Sequence, residues 1–145
     1  MKKLIFLLIA LAAVNFGLLQ NNGLAPIESA VSRTRSDALL DDAFENQRSN
    51  IQIEGQGTVV KILSDDNYGS RHQRFLVRLA SGQTLLIAHN IDLAPRINAL
   101  KKGDDVLFSG EYEWNHKGGV IHWTHQDPNG RHVGGWLKHR GKIYQ

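Results

Sequence analysis

The hydrophobic pattern changes character three times along the chain. Leu4 to Leu19 (LIFLLIALAAVNFGLL) is apolar and uncharged, and Gln20 to Arg35 shows no hydrophobic period. Leu39, Leu40, Ala43 and Phe44 then recur at i, i+4 behind Ser36, a residue suited to cap a helix, with Asp37, Asp41 and Asp42 toward its N-terminal half. From Ile51 onward the period is two. Ile51 and Ile53 alternate with polar residues, Gly55 and Gly57 break or bulge the run, and Thr58 to Leu63 is rich in β-branched residues. Phe75, Val77 and Leu79 alternate with Arg74, Leu76 and Arg78; Ala80 to Gln83 is a hairpin turn, and Thr84 to His89 its return strand. Leu93, Ile97 and Leu100 stand at helical spacing behind Pro95, which predicts a short helix or helical turn over Asp92 to Leu100. A turn at Lys101 to Asp105 leads into a long strand on Val106, Phe108, Gly110, Tyr112 and Trp114. A further turn, Asn115 to Gly119, precedes Val120 to His125.

The order of strand, two-stranded hairpin, short helix, strand, strand is that of an OB-type barrel, although an SH3-like barrel or a β-sandwich shares much of the alternation. The expected fold is all-β: a small OB-like five-stranded barrel with a short helix between strands 3 and 4, a C-terminal β-hairpin, and an N-terminal signal or anchor helix. Residues 1–19 would be a signal peptide or membrane anchor, 20–50 a spacer with a short amphipathic helix, and 51–145 the barrel with its His-rich C-terminal hairpin.

Lys2 and Lys3 before the apolar run are the charged start of a secretory signal. Sixteen apolar residues reach about 24 Å as a helix, short of a hydrocarbon core of about 30 Å, and no small-x-small cleavage site follows cleanly. Cleaved signal and retained anchor both stay open. Either one exports the body of the protein, to the periplasm or the medium, or holds it on the inner membrane facing the periplasm. With 145 residues one domain is expected. The absence of cysteine excludes disulfides, thiolate zinc sites, thiol nucleophiles and a lipoprotein anchor.

All seven histidines lie between His72 and His139, and five of them (His116, His122, His125, His132, His139) occupy one stretch of 24 residues. Four motifs frame that stretch: GEYEWN (Gly110 to Asn115), GGVIHWTH (Gly118 to His125), DPNGRH (Asp127 to His132) and GWLKH (Gly135 to His139). With them, Ile51 to Gln145 resembles a family of small exported bacterial proteins that carries only a domain-of-unknown-function label. The resemblance implies no activity, so the chemistry has to come from the residues.

Asp127, Pro128, Asn129 and Gly130 are turn residues. If Pro128 to Gly130 form a three-residue hairpin loop, alternation places His122, Thr124, Gln126, His132 and Trp136 on one face and Trp123, His125, Asp127, Arg131 and Val133 on the other. His122 and His125 then point apart, and His122 lies roughly 13 Å from His132, so the hairpin alone holds no metal. Glu111, Glu113 or His89 would have to supply ligands, which leaves a divalent metal open and the cofactor unassigned. His125, Asp127 and Arg131 form a candidate catalytic set of base, orienter and electrophile. A structural reading competes with it, in which Asp127 caps its own turn.

From Trp114 to Gln145 five bases face one acid, a net charge of +4, whereas residues 36–54 carry five acids and one base, a net −4. Bases interleaved with Trp114, Trp123, Trp136 and Tyr144 predict a polyanion-facing surface, with His122, Trp123, His132, Trp136, Lys138, His139 and Arg140 as binding residues. Two functions follow: an exported OB-like module for a polyanion such as single-stranded nucleic acid, or a small nuclease or phosphodiesterase using a His/Asp/Arg set or a divalent metal. An anionic glycan or the membrane surface would suit the same charge.

Overall fold

The computed structural model describes residues 24–145, so the leader and its expected signal or anchor helix lie outside the described residues. The first element, α1 (Leu24–Glu45), begins well before Ser36 and runs through much of the expected spacer. It touches the core sparingly. Leu40 and Ala43 are buried, while Leu39 is about half exposed. Polar clamps complete the docking: the Ser81 amide donates to Asp37 Oδ2 at 3.0 Å, the Ser81 hydroxyl to Asp41 Oδ1 at 3.0 Å, and the Trp114 indole to the Phe44 carbonyl at 3.1 Å. Among the described residues no helix is long and apolar enough to cross a membrane.

The alternating segments become β1 (Ile51–Ile62), β2 (His72–Arg78), β3 (Thr84–Asn90), β4 (Asp105–Glu113) and β5 (Val120–His122), followed by β6 (Trp136–His139) and β7 (Lys142–Tyr144). The sheet order is β1-β2-β3-β5-β4-β6-β7, and an additional β1–β4 pairing closes the first five into a barrel. β3 and β5 run parallel and the other neighbours antiparallel. The long β1 makes closure geometrically feasible: Ile51 to Thr58 pair with β4, and Thr58 to Ile62 pair with β2 across a register shift between Val59 and Lys61. Inward positions of every barrel strand fill the interior, with Phe75, Val77, Leu85, Ile87, Phe108, Tyr112 and Ile121 fully buried. Loss of one such aromatic ring typically costs about 3–5 kcal/mol.

Two sequence expectations are narrowed. Between β3 and β4 the helical turn forms in place of a short helix: the Ala94 amide bonds the Asn90 carbonyl at 3.1 Å, and then the Gln73 side chain takes both the amide and the carbonyl of Ile97, at 2.9 Å each. A backbone pair bound to a side chain has left the helical ladder, and Ile97 still buries itself fully. The C-terminal hairpin exists one element later than expected, as β6–β7 around Arg140 and Gly141, both at positive φ (49° and 80°), the conformation favoured by two-residue hairpins. The DPNG turn also forms, with the Gly130 amide on the Asp127 carbonyl at 3.0 Å, but residues 123–135 are a loop without ladder. Trp123, at φ 54°, ends β5 and turns the chain away.

Candidate functional site

β4 alternates Tyr112 inward with Glu111 and Glu113 outward, and its register with β5 sets His122 directly across from Glu111. The 123–135 loop leaves β5 at this point and returns to β4 as β6. Its neck is drawn shut by the Gly135 amide on the His125 carbonyl at 2.9 Å. A Cβ at Gly110 would collide with the His122 carbonyl, and one at Gly135 with the carbonyls of Trp123 and Ser109, so only glycines let the loop lie this close to β4.

The loop brings His132 back onto the same carboxylate that His122 faces. His132 Nε2 is 2.6 Å from Glu111 Oε2, and its Nδ1 is 2.7 Å from the Val133 carbonyl. Both ring nitrogens therefore meet acceptors, an arrangement that calls for the imidazolium. Burial pulls the His132 pKa down, but the Glu111 hydrogen bond and the Val133 carbonyl outweigh it and leave it raised. Burial likewise pushes Glu111 up, and its hydrogen bonds with His132 and Glu113 and the charges of His132 and His122 bring it net below the usual range. Trp123 stacks on the His132 ring at 3.9 Å and 9° between planes, which suits a cation on an aromatic face.

His122 differs from His132. Its Nε2 lies 3.4 Å from Glu111 Oε1 and 3.6 Å from Glu113 Oε1, is buried, and has no hydrogen-bond partner among the described residues. An orphaned buried nitrogen ordinarily costs about 1–3 kcal/mol. Glu111, Glu113 and His122 thus form a mixed cluster whose ligand atoms all lie within 4.8 Å of one another. His122 also lines a cavity of about 240 Å³ with Ser70, His72, Asn90, Trp123 and His125. The separation of His122 and His125 onto opposite faces is accordingly corrected: the break at Trp123 puts both on one cavity. The 13 Å gap between His122 and His132 is corrected too, since both reach Glu111.

The proposed base set is not assembled as a hydrogen-bonded relay. Asp127 spends its carboxylate on the backbone of its own turn, accepting the Asn129 amide on Oδ1 at 3.0 Å and the Arg131 and His132 amides on Oδ2 at 2.7 and 2.9 Å. Those amides, Asn129's foremost, hold its pKa below the usual range. Its effect is to shape the loop that delivers His132. Buried His125 bonds the Gln126 carbonyl through Nδ1 at 2.7 Å, and Arg131 is exposed at the loop's edge. His89 points inward, donating from Nε2 to the Pro95 carbonyl (3.0 Å) and accepting the Thr124 hydroxyl on Nδ1 (2.8 Å). Burial lowers its pKa to about 4, and it supplies no ligand to the cluster.

The remaining binding candidates are dispersed. Half-buried Trp136 pairs with Ser109 and lines a crevice with Ser32, Arg33 and Glu54, and Lys138 stands opposite Leu107. His139 and Arg140 both go to Asp104, at 2.8 and 3.3 Å. A larger cavity of about 400 Å³ lies between α1 and the barrel near Arg33, Gln56 and Arg78, but no histidine or aromatic ring lines it.

What sequence reading had as a reserve, Glu111 and Glu113, is therefore central. Their i, i+2 spacing on a strand was the available signal.

A family model described as "Protein of unknown function (DUF3465)" matches residues 24–145. Comparison with the curated proteins finds no match for the chain.

Proposed function

We propose, for a chain that belongs to the DUF3465 family of proteins of unknown function, that it is an OB-type module binding a polyanion of the single-stranded nucleic-acid class on the outer face of β2, β3 and β5. The observation that carries this reading is the cavity on that face. His72, Asn90, His122, Trp123 and His125 offer it polar edges and aromatic rings together. Tyr68, 94% exposed on the β1–β2 connection, stands two residues from Ser70 at its rim, and Arg74 pairs with Ala88 in its wall. Bases stack on such rings whatever their identity, and cations nearby track the backbone. OB barrels in general use this face and its flanking loops for oligonucleotides and oligosaccharides, an analogy of fold only. The ligand face thus moves from the C-terminal strands to the cavity. The Met1 to Leu19 pattern supports placing the binding outside the cytoplasm, in the periplasm, in the medium or at the inner membrane.

A second reading, a small nuclease or phosphodiesterase, draws support from the Glu111, Glu113 and His122 cluster beside that cavity. Its His125, Asp127 and Arg131 version gains none, because Asp127 is engaged by its own loop.

Titration of the purified chain into labelled single-stranded oligonucleotide tests both readings. Binding is expected at about 50 mM salt and a steep loss by about 200 mM. Trp123→Ala should weaken it at least about fivefold, the effect of losing one stacking platform. Absence of binding at low salt overturns the module, and intact oligonucleotide after incubation with divalent metal overturns the nuclease.

A further inference from the structure

We propose that Glu111, Glu113 and His122 bind one divalent transition-metal ion of the zinc class, and that His132 is the positioning residue that aims Glu111 at it. In a tetrahedral shell with bonds of about 2.0–2.1 Å to nitrogen and oxygen, neighbouring ligand atoms stand about 3.3 Å apart. His122 Nε2 sits 3.4 and 3.6 Å from the two carboxylate oxygens, close to such an edge and long for a good hydrogen bond. The unpartnered, buried Nε2 is the independent sign that a ligand belongs there.

The surroundings favour a cation. Glu111 and Glu113 bring two formal negative charges, and His132, on the far oxygen of Glu111, balances one. That histidine is fixed in turn by the Val133 carbonyl and the Trp123 ring, so Oε2 is held while Oε1 is left toward His122. Carboxylates anchored in this way by an outer hydrogen bond are the usual partners of metal ions. One imidazole with two carboxylates suits zinc, nickel or manganese over calcium and magnesium, which take oxygen alone. Three protein ligands leave an open coordination position, and His122 lies in the wall of the 240 Å³ cavity, so a bound anion would meet the ion there.

The test uses the untagged full chain, stripped with chelator, and metal ions alone, so that its outcome is separate from oligonucleotide binding. Calorimetric titration with zinc, nickel, manganese and calcium should give one site per chain for at least one transition ion and at least a hundredfold weaker uptake of calcium. His122→Ala should weaken uptake more than a hundredfold, as should Glu113→Gln, a near-isosteric change that keeps the fold testable. His132→Ala should weaken it about 10- to 100-fold, and His132→Gln, which can still donate to Glu111, should recover part of that. His116→Ala, at an exposed turn position, should leave it unchanged. No uptake of any transition ion, or one-to-one uptake that survives both His122→Ala and Glu113→Gln in folded protein, overturns the site.

Discussion

β4 and the turn before it meet tail histidines at two places, and the two meetings are built differently. At one end, His139 Nε2 meets Asp104 Oδ2 at 2.8 Å, and the same carboxylate takes the Lys101 amide (3.0 Å) and Arg140 (3.3 Å). Those partners, His139 first, hold Asp104 below the usual carboxylate range. Further along β4, His132 meets Glu111 at 2.6 Å, but the His122 Nε2 beside them makes no hydrogen bond. The first set is closed and serves packing; the second is open. A histidine count therefore says little about chemistry, whereas a leftover buried ligand atom says a good deal.

The comparison is sharpened most by the histidine satisfied most completely. His89 holds a neutral tautomer, with a folded pKa of about 4 against about 6.5 unfolded. Between those values the unfolded chain binds more protons, so stability is full above pH 6.5 and falls on acidification through that window, by a total on the order of 3 kcal/mol. Urea denaturation from pH 7 to pH 5 reads the slope, and His89→Gln should flatten it; an unchanged slope assigns the acid sensitivity elsewhere. Next in size is His139→Ala at the closed set. Its ring is only 2% exposed, so truncation should cost about 2–3 kcal/mol while leaving metal uptake as it was. Reduced uptake in a folded variant would make the two sets one system. His132→Ala should cost less, about 1 kcal/mol, because its ring is partly solvated and what it loses is one hydrogen bond and a stack. A cost as large as that of His139→Ala would mark the open set as structural.

The barrel was legible because burial on a strand has period two: Phe75 and Val77, Leu85 and Ile87, Val106 and Phe108 announce their faces in order. The site was half legible. Glu111, Glu113 and His122 follow from the same alternation once β4 and β5 are adjacent. The position of His132 does not, because it depends on Trp123 taking a positive φ that no propensity assigns to tryptophan, and on glycines at 110 and 135 that admit the loop. Turn chemistry at Asp127 was read correctly in kind and wrongly in consequence: the turn closes on itself rather than on a ladder. The segment before β4 stops at one helical turn for a similar reason, a long-range side chain, Gln73, claiming the backbone groups of Ile97.

The smallest expected effect cuts deepest into the comparison. In metal-free protein His122→Ala should change stability by less than about 0.5 kcal/mol, since the ring is about a third exposed and its buried nitrogen makes no hydrogen bond to lose. Removing an orphaned polar atom offsets part of the lost packing. In wild-type protein, zinc at a hundred times its dissociation constant should add about 2.7 kcal/mol by mass action, and the variant should gain nothing. Thermal melts of both proteins with and without the ion measure all four states. A metal-free variant destabilised by more than about 1 kcal/mol would mean that His122 is already satisfied as His139 is, and the distinction between an open and a closed set would fall.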